Sequence, residues 1–298
     1  MPWIQVSVAA TGNNYQQVED TLLSIGAQSI TFKDAADKPI LEPRPGETPL
    51  WEHAIITGLF DDSHKAEILR EQIRQHLDIE NLPIEISSLP DQDWERTWMD
   101  AFKPMQFGKR LWVCPKHIEP PVPLAVNLRL DPGLAFGTGT HPTTSLCLRW
   151  LGDHVKPQSG YRNVLDYGCG SGILAIAALM LGAEFADCVD IDEQALLATR
   201  DNADTNQVLH QINTYQPAEI EAVGKYELVL ANILSGPLTE LSPVLSQHCR
   251  PGGDIVLSGI LSEQAESVRN AYTELFDMST TETLDDWVLL HGKRKPSR

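Results

Sequence analysis

The chain is expected to be α/β, with a doubly wound, mostly parallel sheet of seven strands preceded by a small ferredoxin-like α+β domain. Three observations carry that expectation. From Asn163 onward, β-rich runs alternate with helical runs to the end of the chain, the pattern of a sheet covered on both faces. The first of these runs leads through a glycine-dense turn, Asp166-Tyr167-Gly168-Cys169-Gly170-Ser171-Gly172, into the apolar stretch Ile173 to Leu181. The first 89 residues read instead as strand–helix–strand–strand–helix–strand, the split βαβ order.

In the front segment, Ile4, Val6 and Val8 alternate, so Trp3–Ala9 is a strand. Val18, Leu22 and Ile25 fall at helical spacing after Asn13-Asn14, and Gly26 stops that helix. Ser29–Lys33 is a second strand, and a loop marked by Pro39, Pro43, Pro45 and Pro49 follows. Trp51–Phe60 is a third strand. Ser63 is the expected cap of a helix whose apolar face holds Ala66, Leu69, Ile73 and Leu77, and Ile84 and Ile86 mark the last strand. His53, His64 and His76 stand at neither ligand nor triad spacing and read as structural or surface residues. The expected division is therefore 1–89 as a recognition domain, 90–134 as a connecting segment and 135–298 as the domain that carries the chemistry.

The connecting segment opens with Asp91-Gln92-Asp93 and a helix carrying Trp94, Trp98 and Phe102 four residues apart. Leu111–Cys114 and Leu124–Leu130 read as strands, and Asp131-Pro132-Gly133 as a turn. The loop Phe136-Gly137-Thr138-Gly139-Thr140-His141-Pro142-Thr143-Thr144 leads into a helix through Leu146, Trp150 and Val155. Pro142 suits the first turn of that helix, with Thr140 or His141 as its cap.

Beyond Asn163, strands are expected near 163–166, 185–190, 211–214, 226–231, 254–258, 277–283 and 286–292. Helices are expected near 171–181, 193–205, 236–248 and 262–275. The last two strands meet across Thr283-Leu284-Asp285, a link so short that the final strand must run antiparallel.

Composition narrows the function classes. The formal charge is −18, with 17 acids against 6 bases in residues 1–95 and 24 against 17 in the remainder. Such a field repels naked nucleic acid and favours a basic partner, besides aiding solubility. The longest apolar run, Ile173 to Leu181, is too short to span a bilayer, and Met1–Gln5 lacks the basic start of a secretory signal. Cys114, Cys147, Cys169, Cys188 and Cys249 are odd in number and lack metal-ligand spacing. They read as free thiols in a reducing cytoplasm, with no metal expected.

The acid-x-Gly-x-Gly-x-Gly pattern at Asp166–Gly172 differs from the dinucleotide Gly-x-Gly-x-x-Gly by its glycine spacing and by the acid at the strand end. Gly168, Gly170 and Gly172 let the bare backbone lie against a ligand. A pyrophosphate does not suit a carboxylate there, whereas a ligand with an ammonium and a sulfonium does. That ligand is S-adenosylmethionine, with Asp166 acting electrostatically or through an intermediate group. A glycine turn without ligand is the plain alternative. Asp190, twenty residues past Gly170 at the end of the next strand, is placed to accept from both ribose hydroxyls. Asp192 competes for that role and reads better as a helix N-cap. Leu228–Ala231 ends on Asn232 at the carboxyl edge, where open α/β sheets bind ligands. Asn232 there faces the transferred methyl group or its acceptor, or else begins a turn.

With these residues together, the chain resembles the class I S-adenosylmethionine-dependent methyltransferases, and more closely the bacterial ribosomal protein L11 methyltransferases, the PrmA family. The resemblance runs the full length, through Asp93-Trp94-Glu95-Arg96-Thr97-Trp98, Phe136–Thr144, Asp166–Gly172 and Ala231-Asn232-Ile233-Leu234. It implies donor contacts from Thr144, Gly168, Asp190 and Asn232. It also implies recognition of a large-subunit ribosomal protein by residues 1–89, with methylation of lysine ε-amines and an N-terminal α-amine. Asn232 and loop carbonyls are expected to orient the neutral amine as the loop closes, and His141 or bulk water to take the proton. The absence of Pro-Pro-Tyr after Asn232 speaks against a planar amide or base acceptor. A donor-binding module without catalysis, or an amine acceptor on another molecule, are the competing readings.

Overall fold

A computed structural model of the chain describes residues 3–36, 50–77, 83–89, 103–131, 139–221 and 225–296. Two compact units divide at Thr97/Trp98. The proline-marked loop, the helix of Trp94, Trp98 and Phe102, and Pro132-Gly133 lie outside the described residues, as do Phe136-Gly137-Thr138.

The first unit has the order β1 (Trp3–Thr11), α1 (Tyr15–Ser24), β2 (Ser29–Asp34), β3 (His53–Asp61), α2 (Ala66–His76) and β4 (Ile84–Leu89). The strands form one antiparallel sheet in the order β2-β3-β1-β4. Strand periodicity decides which face is covered. Val6, Val8 and Ala10 of β1 and Ala54, Ile56 and Phe60 of β3 are buried against Val18, Leu22, Leu69 and Ile73 of the two helices. Ser63 does not cap α2. The Asp61 carboxylate accepts from both the Ser63 amide (3.0 Å) and its hydroxyl, and the N-cap position falls to Lys65, without a side-chain cap.

The second unit opens with a three-stranded sheet, β5 (Met105–Phe107), β6 (Leu111–Cys114) and β7 (Val126–Arg129). These strands fall in what the sequence marks as a connecting segment, yet they belong to the second unit's core. Phe107, Leu111, Val113 and Leu128 are buried with residues of α3 (Pro142–His154) and α4 (Ile173–Leu181).

The main sheet follows: β8 (Asn163–Tyr167), β9 (Phe185–Val189), β10 (Ile212–Tyr215), β11 (Tyr226–Asn232), β12 (Cys249–Leu261), β13 (Phe276–Leu284) and β14 (Trp287–Arg294). The spatial order is β10-β9-β8-β11-β12-β14-β13. The first five strands pair in parallel, and β14 runs antiparallel to both its neighbours. The link between β13 and β14 shrinks to Asp285 and Asp286, with Asp285 at φ +53.

Alternate residues of the central strands go to opposite cores. Val164, Leu228, Leu230 and Val256 pack with α3, α4 and Ala203 of α5 (Glu193–Thr205). Leu165, Val229, Ala231, Ile255 and Leu257 pack with α6 (Ser235–Glu240), α7 (Ser242–His248) and α8 (Ala265–Tyr272). Burial on both faces is why these strands read as continuous apolar runs. The expected helix 236–248 breaks at Leu241. Pro243 sits in the first turn of α7, and a proline deeper in one continuous helix would lose a hydrogen bond and meet the carbonyl four residues back. All five cysteines are free and buried. Among the described residues no helix is long and apolar enough to cross a membrane.

Candidate functional site

The carboxyl ends of β8, β9 and β11 share one sheet edge, and the residues singled out in the sequence collect there. After Tyr167 the chain turns through Gly168, Gly170 and Gly172 at φ +77°, +55° and +75°. Gly168 and Cys169 donate to the Val189 carbonyl at 2.7 and 3.1 Å, which ties the turn to β9. At Gly168 a Cβ would lie 2.3 Å from Ile233 Cγ2, so the turn fits against the end of β11 only without a side chain.

Asp166 points into the core from β8. It is fully buried, its Oδ2 accepts from Ala175 N–H at 3.1 Å, and its Oδ1 finds no hydrogen-bond partner among the described residues. Burial pushes its carboxyl up to about 7. The Ala175 amide opposes that rise, and the nearby Asp190 charge adds to it.

Asp190 and Asp192 separate by role. Asp192 caps α5, accepting from Gln194 N–H at 2.9 Å. Asp190 turns to the glycine turn. Its Oδ2 accepts from Gly170 N–H at 2.9 Å and its Oδ1 from Asp192 N–H at 3.0 Å. Two backbone donors hold a carboxylate that still has lone pairs for further donors.

Asn232 closes β11, and its Nδ2 donates to Thr144 Oγ1 at 3.2 Å. Thr144 is buried in the first turn of α3, so two segments far apart in sequence meet at one amide. His141, not Thr140, is the N-cap of α3. Its Nδ1 accepts from Thr143 N–H at 3.4 Å and lies 2.8 Å from Thr143 Oγ1. The amide bond is served by the neutral tautomer that leaves Nδ1 unprotonated and carries its proton on Nε2. Burial lowers the pKa of His141, favouring that neutral ring. The ring also meets Trp287, edge-on with ring centroids 5.1 Å apart. Among the described residues no group of three or more His, Cys, Asp or Glu is placed to hold a metal ion.

Sequence reasoning missed the supports of this edge. Ser258, in register with Asn232 on β12, donates to the Thr143 carbonyl at 3.1 Å and so fixes the first turn of α3. Gly259 lies in a bulge between Leu257 and Ile260, where a Cβ would sit 2.2 Å from the Ile233 carbonyl oxygen. A glycine inside a strand pattern signals such a close approach, and that signal was present.

A sheet of this order, with a glycine turn, an acidic residue and an asparagine on three adjacent strand ends, defines a class I methyltransferase. The chain matches the family model for ribosomal protein L11 methyltransferase (PrmA) over residues 2–295 and belongs to that family. It is 50% identical over 302 residues to the ribosomal protein L11 methyltransferase of Enterobacter sp. (strain 638), covering 99% of this chain and 100% of that one. It is 48% identical over 295 residues to that of Idiomarina loihiensis, covering 99% of each. A crystal structure of the ribosomal protein L11 methylase from Lactobacillus delbrueckii subsp. bulgaricus matches with a TM-score of 0.58 at 31% identity, covering 65% of this chain and all of that one.

Proposed function

We propose that the chain transfers methyl groups from S-adenosylmethionine to lysine ε-amines and the N-terminal α-amine of ribosomal protein L11, in the cytoplasm and without a metal. The observation that carries the reading is the shared sheet edge, with Asp190 bound to the glycine turn at 2.9 Å and Asn232 bound to Thr144 at 3.2 Å.

The residues present suit the donor. Gly168 and Gly172 expose backbone where side chains would clash, Gly170 turns at positive φ, and the Oδ1 of Asp166, without a partner among the described residues, belongs to a buried carboxyl whose ionised form a cationic ligand would favour. Asp190 has the lone pairs to receive ribose hydroxyls, and Thr144, Gly168 and Asn232 line the same edge. When bound, S-adenosylmethionine supplies a methyl group on a sulfonium, activated for in-line displacement.

The chain's own residues must then present a neutral amine. A free lysine titrates at about 10.4, and a site that strips water from the ammonium lowers that value. Thr144 fixes the Nδ2 side of the Asn232 amide. Oδ1, on the opposite side, is then the acceptor that an incoming amine N–H meets. Holding the nitrogen by that bond aims its lone pair and converts a random encounter into an oriented one. The Nδ1 lone pair of His141 is engaged with Thr143. To accept a proton His141 would have to release the first turn of α3, so in this reading the proton leaves to water.

The first unit, whose strand order we read as ferredoxin-like, is the recognition module. Its acidic sequence suits a basic ribosomal protein and does not suit naked nucleic acid. The test is incubation with isotope-labelled S-adenosylmethionine and purified L11 lacking the modification, followed by mass mapping of the labelled residues. Label on lysine and N-terminal amines is the expected result. Donor binding without transfer to L11 would leave a donor-binding module instead.

A further inference from the structure

Helix α5 and its C-cap residue carry three polar side chains at one-face spacing, Thr199 and Asn202 on the helix and Asn206 at the cap. On an ordinary amphipathic helix such a stripe faces water. Here each side chain reaches backbone. Thr199 Oγ1 donates to the Gly170 carbonyl at 3.0 Å and lies 3.4 Å from Cys169 Sγ. Asn202 Nδ2 donates to the Ser171 carbonyl at 2.9 Å. Asn206 takes both sides of Arg129 on β7, accepting from its N–H at 2.7 Å and donating to its carbonyl at 2.8 Å.

Thr199 is fully buried and sits directly on Gly172, where a Cβ would come within 2.7 Å of its Cγ2 and 2.8 Å of its Oγ1. It therefore touches three residues of the turn. Gly170 is the junction. Its carbonyl is held by Thr199, and its N–H donates to the Asp190 carboxylate at 2.9 Å. A change at Thr199 reaches Asp190 through one residue, with no direct contact required.

We propose that Thr199 and Asn202 are positioning residues of the donor site, holding the glycine turn through Gly170 and Ser171 and, through Gly170, orienting the Asp190 carboxylate. This rests on the reading of the turn and Asp190 as the donor's seat. The physical reason is conformational freedom. Alternate glycines at positive φ have many alternatives open to them when released. A turn that is competent only part of the time binds its ligand more weakly by that fraction. The stripe on α5 removes the freedom before the ligand arrives.

The test is isothermal titration of S-adenosylmethionine into the full chain and into Thr199→Val, Thr199→Ser, Asn202→Ala, Asp190→Asn and the Thr199→Val/Asp190→Asn pair. Valine keeps the shape and removes the donor, so its dissociation constant should rise about tenfold. Serine keeps the hydroxyl and should restore binding to within about twofold of the native chain, and Asn202→Ala should weaken it about fivefold. The double variant should bind more tightly than the two single losses combined predict, because part of the Thr199 effect passes through Gly170 to the Asp190 carboxylate. A hydroxyl that merely stabilises the helix would lower the melting midpoint and leave the two effects on binding independent. Native binding by Thr199→Val and Asn202→Ala, in a chain whose native form binds the donor, overturns the inference. Should the valine variant fail to fold, Asn202→Ala decides the matter alone. A native chain that does not bind the donor overturns the underlying reading instead.

Discussion

Replacing Asp166 with Asn should stabilise the ligand-free protein at neutral pH while weakening donor binding. The carboxyl is fully buried, one oxygen has a single backbone donor, and the other has no partner among the described residues. Burial lifts it from the ordinary 3.8 to about 7. At ~1.36 kcal/mol per pH unit, that gap costs the ionised fold roughly 4 kcal/mol. The direction follows from proton counting. Below pH 3.8 the group is neutral in both folded and unfolded chains, and nothing is lost. Between 3.8 and about 7 the unfolded chain releases its proton while the fold keeps it, so stability falls as pH rises. Above that window both forms are ionised and the loss is complete. Asparagine does not titrate. The stability difference between variant and native chain should therefore grow by roughly 3 kcal/mol from about pH 5 to about pH 8. Asp187 and Asp254 titrate with the opposite sign. Burial pushes both carboxyls up, but hydrogen bonds from Lys225, Tyr226 and Asn213 to one, and from His291, Lys293 and Tyr161 to the other, win and lower them. They are present in both proteins and cancel in the difference. Calorimetric melting of the full native and variant chains across this pH range measures it. A difference that stays flat with pH would refute the argument that Asp166 is held neutral by burial.

Three further outcomes are expected. Asn232→Ala should lower kcat for L11 about a hundredfold, because the amine loses the group that aims it; steady-state kinetics with folding checked by circular dichroism would show this, and an unchanged kcat would remove Asn232 from the acceptor side. Gly168→Ala places a Cβ 2.3 Å from Ile233 Cγ2 at φ +77°, so it should cost roughly 1–3 kcal/mol and abolish donor binding, as thermal melting and titration would report. His141→Ala removes the side-chain cap of α3 and should cost about 1 kcal/mol of stability with transfer preserved at mildly alkaline pH; a large loss of turnover in a stable variant would return the proton to the imidazole.

The strand–turn–helix at Asp166–Leu181 was legible because its signals are local. Three glycines, a strand before them and nine apolar residues after them all describe one stretch of chain. The capping role of Asp192 was legible for the same reason, since a cap is read two residues away. What stayed hidden depends on segments meeting across the fold. Nothing near Thr199 or Asn202 says that their side chains face the glycine turn, because polar residues on a helix usually mark its wet face. Ser258 acts on Thr143 across 115 positions of sequence. Two of the three strands of residues 105–129 were read from the sequence, Met105–Phe107 is too short to show its period, and the shared core of Phe107, Val113 and Leu128 is what assigns them to the second unit. The break at Leu241 was readable from Pro243, and so was the bulge at Gly259. In both cases the apolar pattern running through them suggested continuity.

The most direct test is a crystal structure of the full chain grown with S-adenosylhomocysteine, the product of methyl transfer. Density for the ligand should lie against Gly168 and Gly170, with both ribose hydroxyls on the Asp190 carboxylate and the sulfur turned toward Asn232. Ligand density on another part of the sheet, or a glycine turn filled by side chains in a crystal saturated with ligand, would contradict the account.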